Sequence, residues 1–206
     1  MDRLFMLPLG ALASNCYIIP AENKQAVVID PASASEVSMF LKSKELTLGG
    51  IIITHGHFDH FSGAAQLVRE YSAPVYAPAA DAEMLLSPAK SWADFMQGVQ
   101  FEPLTPDHTF ADGDVFSVCG IEFRAMACPG HTAGSCVLFC PALETAFTGD
   151  VVFAGAVGRT DGYSGSAAQM RESLAKLSAL SGDYTLCCGH GPMTSLAHER
   201  KYNPYL

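Results

Sequence analysis

The 206 residues fit one ordinary domain, and a hydrophobic share of 49% beside 16% charged residues can bury a sizeable core, which excludes a disordered chain. Twelve basic against twenty-one acidic side chains leave a formal charge of −9. Such a field repels phosphate backbones and anionic lipid, which argues against a nucleic-acid or membrane-surface partner.

No run reaches the roughly 18 to 20 apolar residues that a membrane helix needs. The start, Met1-Asp2-Arg3-Leu4-Phe5, carries no basic region followed by a long apolar stretch, so a soluble, cytoplasmic protein is expected. The seven cysteines, Cys16, Cys119, Cys128, Cys136, Cys140, Cys187 and Cys188, form no pair of spaced Cys-x-x-Cys motifs and read as reduced, mostly buried thiols.

In chain order, short apolar runs at 16–19, 26–29, 51–53, 74–76, 137–139 and 186–188 predict buried strands. Helical patterns lie between them at 36–44, 64–71 and 167–180, the last with Met170, Leu174, Leu177 and Leu180 on one stripe. Residues 115–127 predict a hairpin that reverses at Cys119-Gly120. The segment 88–106 is the nearest thing to an irregular insertion, and its Trp92, Phe95 and Met96 are read as core packing rather than as a cover over a pocket. The expectation is an α/β chain forming a single domain over 1–206, without internal repeats.

The chemistry starts directly after the apolar strand Ile51-Ile52-Ile53, in Thr54-His55-Gly56-His57-Phe58-Asp59-His60. Three histidines and an aspartate within six residues are more polar groups than a core end tolerates without partners, and metal coordination supplies that partnership. Alternating His55 and His57 at a strand end can converge on one ion while Asp59 and His60 reach a neighbouring one. Further polar singletons close other strands: His131 after Cys128-Pro129-Gly130, Asp150 after Thr148-Gly149 and His190 after Cys188-Gly189. A glycine precedes each, letting backbone crowd a site closely. His108 and His198 read as ordinary surface residues.

On these residues the chain resembles the metallo-β-lactamase superfamily, and within it the short bacterial type of the glyoxalase II (hydroxyacylglutathione hydrolase)-like branch. Besides the Thr54 to His60 signature, Pro129-Gly130-His131-Thr132, Thr148-Gly149-Asp150, Gly158-Arg159-Thr160-Asp161 and Gly189-His190-Gly191-Pro192 follow in the family's order. The resemblance implies an αββα sandwich with metals at one edge between two sheets. It implies that His55, His57 and His131 hold a first metal, that Asp59, His60 and His190 hold a second, and that Asp150 bridges both. Five imidazoles and two carboxylates without a thiolate suit two zinc ions, and iron or manganese can be accommodated.

The implied reaction is hydrolysis of a small-molecule thioester such as S-D-lactoylglutathione by a hydroxide shared between the metals. Asp59 would orient that hydroxide, and a thiol of pKa about 8.5 can leave without a dedicated acid. Arg159 can bind an anionic substrate or pair with Asp161, the pairing being favoured. Asn15-Cys16-Tyr17 is read as packing with a backbone hydrogen bond from Asn15, and Arg200-Lys201 near the end as a solvated helix face. Full-length glyoxalase II enzymes carry a C-terminal helical region that forms much of the glutathione surface, whereas sixteen residues follow His190 here, so acyl group and thiol carrier stay open.

Two alternatives accompany this reading. A persulfide dioxygenase-like enzyme would hold one iron on His57 or His55, His131 and Asp150. A non-catalytic member of the fold would keep a metal for ligand sensing. A β-lactamase proper is disfavoured by Asp59-His60 and the cytoplasmic expectation, a nuclease by the charge, and a redox di-iron protein by a histidine, not a glutamate, at position 57.

Overall fold

Strands that are apolar along their whole length are strands covered on both faces, and the middle of each sheet is built from them. The computed structural model describes residues 3–96 and 98–206. Its strands are β1 (Phe5–Leu9), β2 (Ser14–Pro20), β3 (Gln25–Ile29), β4 (Thr47–Ile52), β5 (Val75–Pro78), β6 (His108–Phe110), β7 (Val115–Val118), β8 (Ile121–Ala127), β9 (Cys136–Cys140), β10 (Thr145–Gly149), β11 (Val152–Phe153), β12 (Ala156–Val157), β13 (Thr185–Cys188) and β14 (Thr194–Ser195). The helices are α1 (Ala34–Ser43), α2 (Ala64–Tyr71), α3 (Ala167–Ser178) and α4 (Leu196–Tyr202).

The first sheet runs β1-β2-β3-β4-β5-β6 and the second β14-β13-β10-β9-β8-β7, with β11 and β12 as a small separate ribbon. Strands β3 to β6 pair in parallel, as do β10 and β13, whereas the other pairs are antiparallel. The two-residue alternation of each strand then builds three apolar layers. Cys16, Ile18, Val28 and Ile51 face Val37 and Leu41 of α1 and Leu67 of α2. Their neighbours Tyr17, Ile19, Val27, Ile29 and Ile52 face Phe123, Leu138, Phe147 and Cys187 of the second sheet. On the far side Met126, Val137, Ala146 and Leu186 meet Met170, Leu174 and Leu177 of α3 and Leu196 of α4. The result is the expected αββα sandwich, and truncating any of these large side chains to alanine costs about 2 to 5 kcal/mol.

Local departures have local causes. α1 begins at Ala34 rather than 36, because Ser33 is extended and serves as the residue before the first turn. α3 ends at Ser178, yet Leu180 packs on the same layer from beyond the helix. β1 has no apolar run to mark it, because Pro8 interrupts it and only Leu9 in it is buried; proline is tolerated there because the strand lies at a sheet edge. The hairpin reverses at Cys119-Gly120 as expected, both with positive φ (51° and 78°), the pattern of a two-residue hairpin turn.

At the end of the chain, Arg200 is not a merely solvated residue: its Nε donates to Ser178 O at 2.9 Å and its Nη1 to Gly182 O at 2.8 Å, closing the C-terminal end of α3. All seven cysteines are free thiols, and six are buried. Among the described residues no helix is long and apolar enough to cross a membrane.

Candidate metal centre

The segments that follow β4, β8, β10 and β13 meet at one edge of the sandwich, because each of those strands delivers its last residue to the same end of its sheet. One donor atom each from His55, His57 and His131 lies within 4.8 Å of the others. Within this group His57 Nδ1 and His131 Nε2 face each other at 2.7 Å. A second group joins Asp59, His60 and His190: His60 Nε2 is 3.4 Å and His190 Nε2 3.3 Å from Asp59 Oδ2, and the two imidazole nitrogens are 3.3 Å apart. Asp150 stands between the groups. Its Oδ1 is 3.4 Å from His60 Nε2, and its Oδ2 is 3.5 Å from His131 Nε2 and 3.6 Å from His190 Nε2. All seven residues named from the sequence therefore come together.

The donor chemistry fits divalent cations. His55 Nε2 and Asp150 Oδ1 are buried and have no hydrogen-bond partner, a costly state that a bound cation relieves. Burial, reinforced by neighbouring imidazoles, pushes His57 down to about 3 and His55 well below the usual range, so both are neutral and offer lone pairs. Burial also opposes charge on His60, but the Asp59, Asp150 and Asp30 carboxylates outweigh it and hold that imidazole at about 10 in the metal-free protein. His190 is raised in the same way, burial being outweighed by Asp59 and Asp150. Burial works against ionisation of Asp59 too; His60, His190 and Ser14 overcome it and keep the carboxyl well below its ordinary value.

A ring of outer hydrogen bonds orients these donors. His131 Nδ1 donates to the Arg159 carbonyl at 2.7 Å and His60 Nδ1 to Asp30 Oδ2 at 3.0 Å, which turns each Nε2 into the cluster; on His60 that nitrogen offers a lone pair once a cation displaces its proton. Thr54 Oγ1 donates to Asp30 Oδ2 at 2.6 Å and so accepts from His55 Nδ1 at 3.1 Å. Asp30 also accepts the Thr54 amide at 2.8 Å. The close approach of Asp30, His55 and His60 is thus explained by hydrogen bonding behind the donor nitrogens that face the cluster. Ser14 Oγ donates to Asp59 Oδ2 at 2.7 Å.

Two further buried groups brace the loops. Asp81 accepts from Gly56 N at 2.8 Å, Thr132 Oγ1 at 2.6 Å and Gly134 N at 2.7 Å, tying the His55–His57 turn to the His131 loop. Asn15 N donates to Gly189 O at 2.7 Å and its Nδ2 to Cys188 O at 3.0 Å and Gly191 O at 2.8 Å, so the expected hydrogen bonding of Asn15 to backbone grips the loop carrying His190. The glycine before His190 is needed for space: a Cβ on Gly189 would lie 2.1 Å from Asp150 Oδ1.

Asp30, Asp81 and Ser14 were not singled out from the sequence. Asp30 had a signal, since an acidic residue closes the apolar run 26–29 immediately before a proline. Asp81 and Ser14 had none, because their partners are 51 and 45 residues away.

Arg159 pairs with Asp161 through contacts of 2.7 and 2.8 Å, the pairing favoured from the sequence, and Asp161 is pulled down to about 2 by that hydrogen bonding. The guanidinium carbon also lies 4.6 Å from the centre of the Trp92 ring, and Trp92 stacks on His57 at 4.7 Å with an interplanar angle of 16°. The core reading of the 88–106 segment is corrected accordingly. Met96 packs on the core, but Trp92 lies against a donor histidine and Phe95 is 79% exposed. The cause is local backbone: Ser91 O accepts the Phe58 amide at 2.9 Å, and Trp92 takes a left-handed conformation (φ 66°), which turns the indole toward the histidines. Trp92, Phe95, Arg159 and Asp161 line an open depression of about 430 Å³.

Comparison with known proteins identifies the family and the fold. The sequence profile of the metallo-beta-lactamase superfamily matches residues 9–190. The chain is 30% identical over 204 residues to a hydroxyacylglutathione hydrolase, GloC, of Haemophilus influenzae, covering 98% of this chain and 96% of that one. Among solved structures it is similar to the BLEG-1 B3 metallo-beta-lactamase, with a TM-score of 0.90, 30% identity and coverage of 98% and 99% of the two chains. It is also similar to TTHA1623 solved in a di-iron-bound form, with a TM-score of 0.87, 29% identity and coverage of 98% and 100%. The protein belongs to the metallo-β-lactamase superfamily.

Proposed function

We propose that this protein is a dinuclear metal-dependent hydrolase of a small-molecule thioester, of the hydroxyacylglutathione hydrolase type, working as one domain in the cytoplasm. The observation that carries the reading is Asp150, whose two carboxylate oxygens reach toward histidines of both donor groups. His55, His57 and His131 would hold one cation, Asp59, His60 and His190 the other, and Asp150 both. Zinc suits this set best, with iron or manganese as substitutes. Two such cations supply Lewis acidity, polarising a carbonyl and making water nucleophilic near neutral pH.

The chain's own groups do the rest. Asp59, ionised and anchored by Ser14, accepts a hydrogen bond from the reacting water and fixes its approach. Deep burial of His55, His57 and His60 keeps solvent from competing at the donor nitrogens. The leaving thiol departs as thiolate, which needs no proton from the protein. Arg159 meets an anionic part of the substrate by exchanging its exposed partner Asp161, an ion pair that solvent screens. Seven unpaired thiols suit a reducing compartment. The complete Asp59, His60 and His190 group favours two metals over the single iron of a dioxygenase.

The test is turnover of S-D-lactoylglutathione beside a β-lactam and a persulfide with oxygen. Thioester hydrolysis that disappears in Asp150→Ala is expected. Lactam opening or oxygen consumption without thioester hydrolysis would contradict the assignment.

A further inference from the structure

The donor histidines are not all held in the same way. His55, His60 and His131 each have a hydrogen-bond partner on the ring nitrogen that faces away from the cluster: Thr54 Oγ1, Asp30 Oδ2 and the Arg159 carbonyl. His57 has none. Its Nδ1 faces His131, and its Nε2 is buried without any partner. An imidazole without a hydrogen bond on its outward nitrogen can rotate about its side-chain torsions once the metal replaces its contact with a neighbouring donor, and a rotated ring no longer presents its lone pair to that metal.

The indole of Trp92 instead lies against the face of the His57 imidazole. It lies nearly parallel to the His57 ring, 4.7 Å between centres and 16° between planes, and its own position is over-determined. The Arg159 guanidinium sits 4.6 Å from its ring centre. Gly162 leaves just enough room for it, since a Cβ there would come within 2.5 Å of Trp92 Cζ2. The backbone at Trp92 is left-handed (φ 66°), a conformation that costs a bulky residue energy and persists only where contacts enforce it. The preceding carbonyl, that of Ser91, accepts the amide of Phe58, so the turn bearing Trp92 is docked one residue from His57.

We propose that Trp92 is the positioning residue for His57: its stacked indole sets the plane of the imidazole in place of a hydrogen bond, and thereby sets the affinity of the first metal position. The inference rests on the two-metal reading of the site. It carries a spectroscopic consequence, because Trp92 is the single tryptophan of the chain and its emission reports on His57 directly.

The experiment is titration of the metal-free protein with Zn2+ against a competing chelator, for wild type, Trp92→Phe and Trp92→Ala, following indole emission in the wild type. Filling of one of the two equivalents should change the emission. Trp92→Ala should weaken one equivalent by about 10- to 100-fold, the usual effect of losing a group that orients a ligand, and leave the other unchanged. Trp92→Phe, which restores a stacked ring, should recover most of the loss. Gly162→Ala, which displaces the indole without removing it, should weaken the same equivalent and serves where Trp92→Ala fails to fold. Two wild-type-like affinities in a folded Trp92→Ala protein would overturn this inference alone, whereas a wild-type protein that takes up no zinc would overturn the metal reading beneath it.

Discussion

Asp30 and His60 are joined by a 3.0 Å hydrogen bond between Oδ2 and Nδ1, with both side chains almost wholly buried. Asp30 is not among the donor groups' inner atoms; it stands behind the second group and, through Thr54, behind His55 of the first. Replacing it with alanine removes the acceptor for three donors at once. Asp30→Ala should lose about 10- to 100-fold in metal affinity or activity, the range for such outer partners. Metal content after dialysis and turnover at saturating metal check this; unchanged metal retention would show that His60 needs no such support.

Asp81 makes a different prediction, because it touches no donor atom. It satisfies Gly56 N, Thr132 Oγ1 and Gly134 N in a fully buried position. Asp81→Ala leaves the two amides without a partner, each worth about 1 to 3 kcal/mol when orphaned, while Thr132 Oγ1 can still turn to Ser135 Oγ at 2.7 Å. Denaturant unfolding of the metal-free protein should therefore show a loss of several kcal/mol. A loss below about 1 kcal/mol would mean that water or a loop shift replaces the carboxylate.

The pH dependence of the metal-free protein follows from opposite shifts within one cluster. His60 stands at about 10 in the fold against an ordinary 6.5, so its contribution to stability is full below about 6.5 and is lost as pH rises toward 10. His57 is pushed down to about 3, so it subtracts stability as pH falls from 6.5 toward 3. The melting temperature of metal-free protein should peak near pH 6.5 and fall on both sides. His60→Gln should flatten the alkaline side; an equal alkaline decline in both proteins would assign it to other groups, such as the buried thiols.

Gly158 precedes Arg159 with no space beside it: a Cβ would lie 1.9 Å from the Asp150 carbonyl oxygen. Gly158→Ala must push the 158–161 loop away from Asp150, moving the carbonyl that holds His131. Severe loss of thioester turnover with the fold retained by circular dichroism is expected, and wild-type turnover would contradict it.

The sandwich was legible because its strands are buried on both faces, so runs such as 26–29 and 186–188 are apolar at every position. The edge strand β1 was not, since Pro8 and partial burial erase the pattern. The seven donor residues were legible because each stands just past an apolar run, where an unpartnered polar group is otherwise costly. What lies behind them was not. Asp81, Ser14 and Trp92 act on residues far away in sequence, and a lone aromatic in an irregular segment looks the same whether it fills a core or stacks on an imidazole. Arg200 looked like a solvated base because its acceptors are backbone carbonyls at the end of α3.

The central claim is that Asp150 and the two donor triads hold a pair of cations. The most direct measurement is the metal-to-protein ratio of the purified protein and of Asp150→Ala, by elemental analysis. About two divalent metals per wild-type chain, falling in Asp150→Ala, is the result this account predicts. One metal per chain, unaffected by loss of Asp59 or His190, would contradict it.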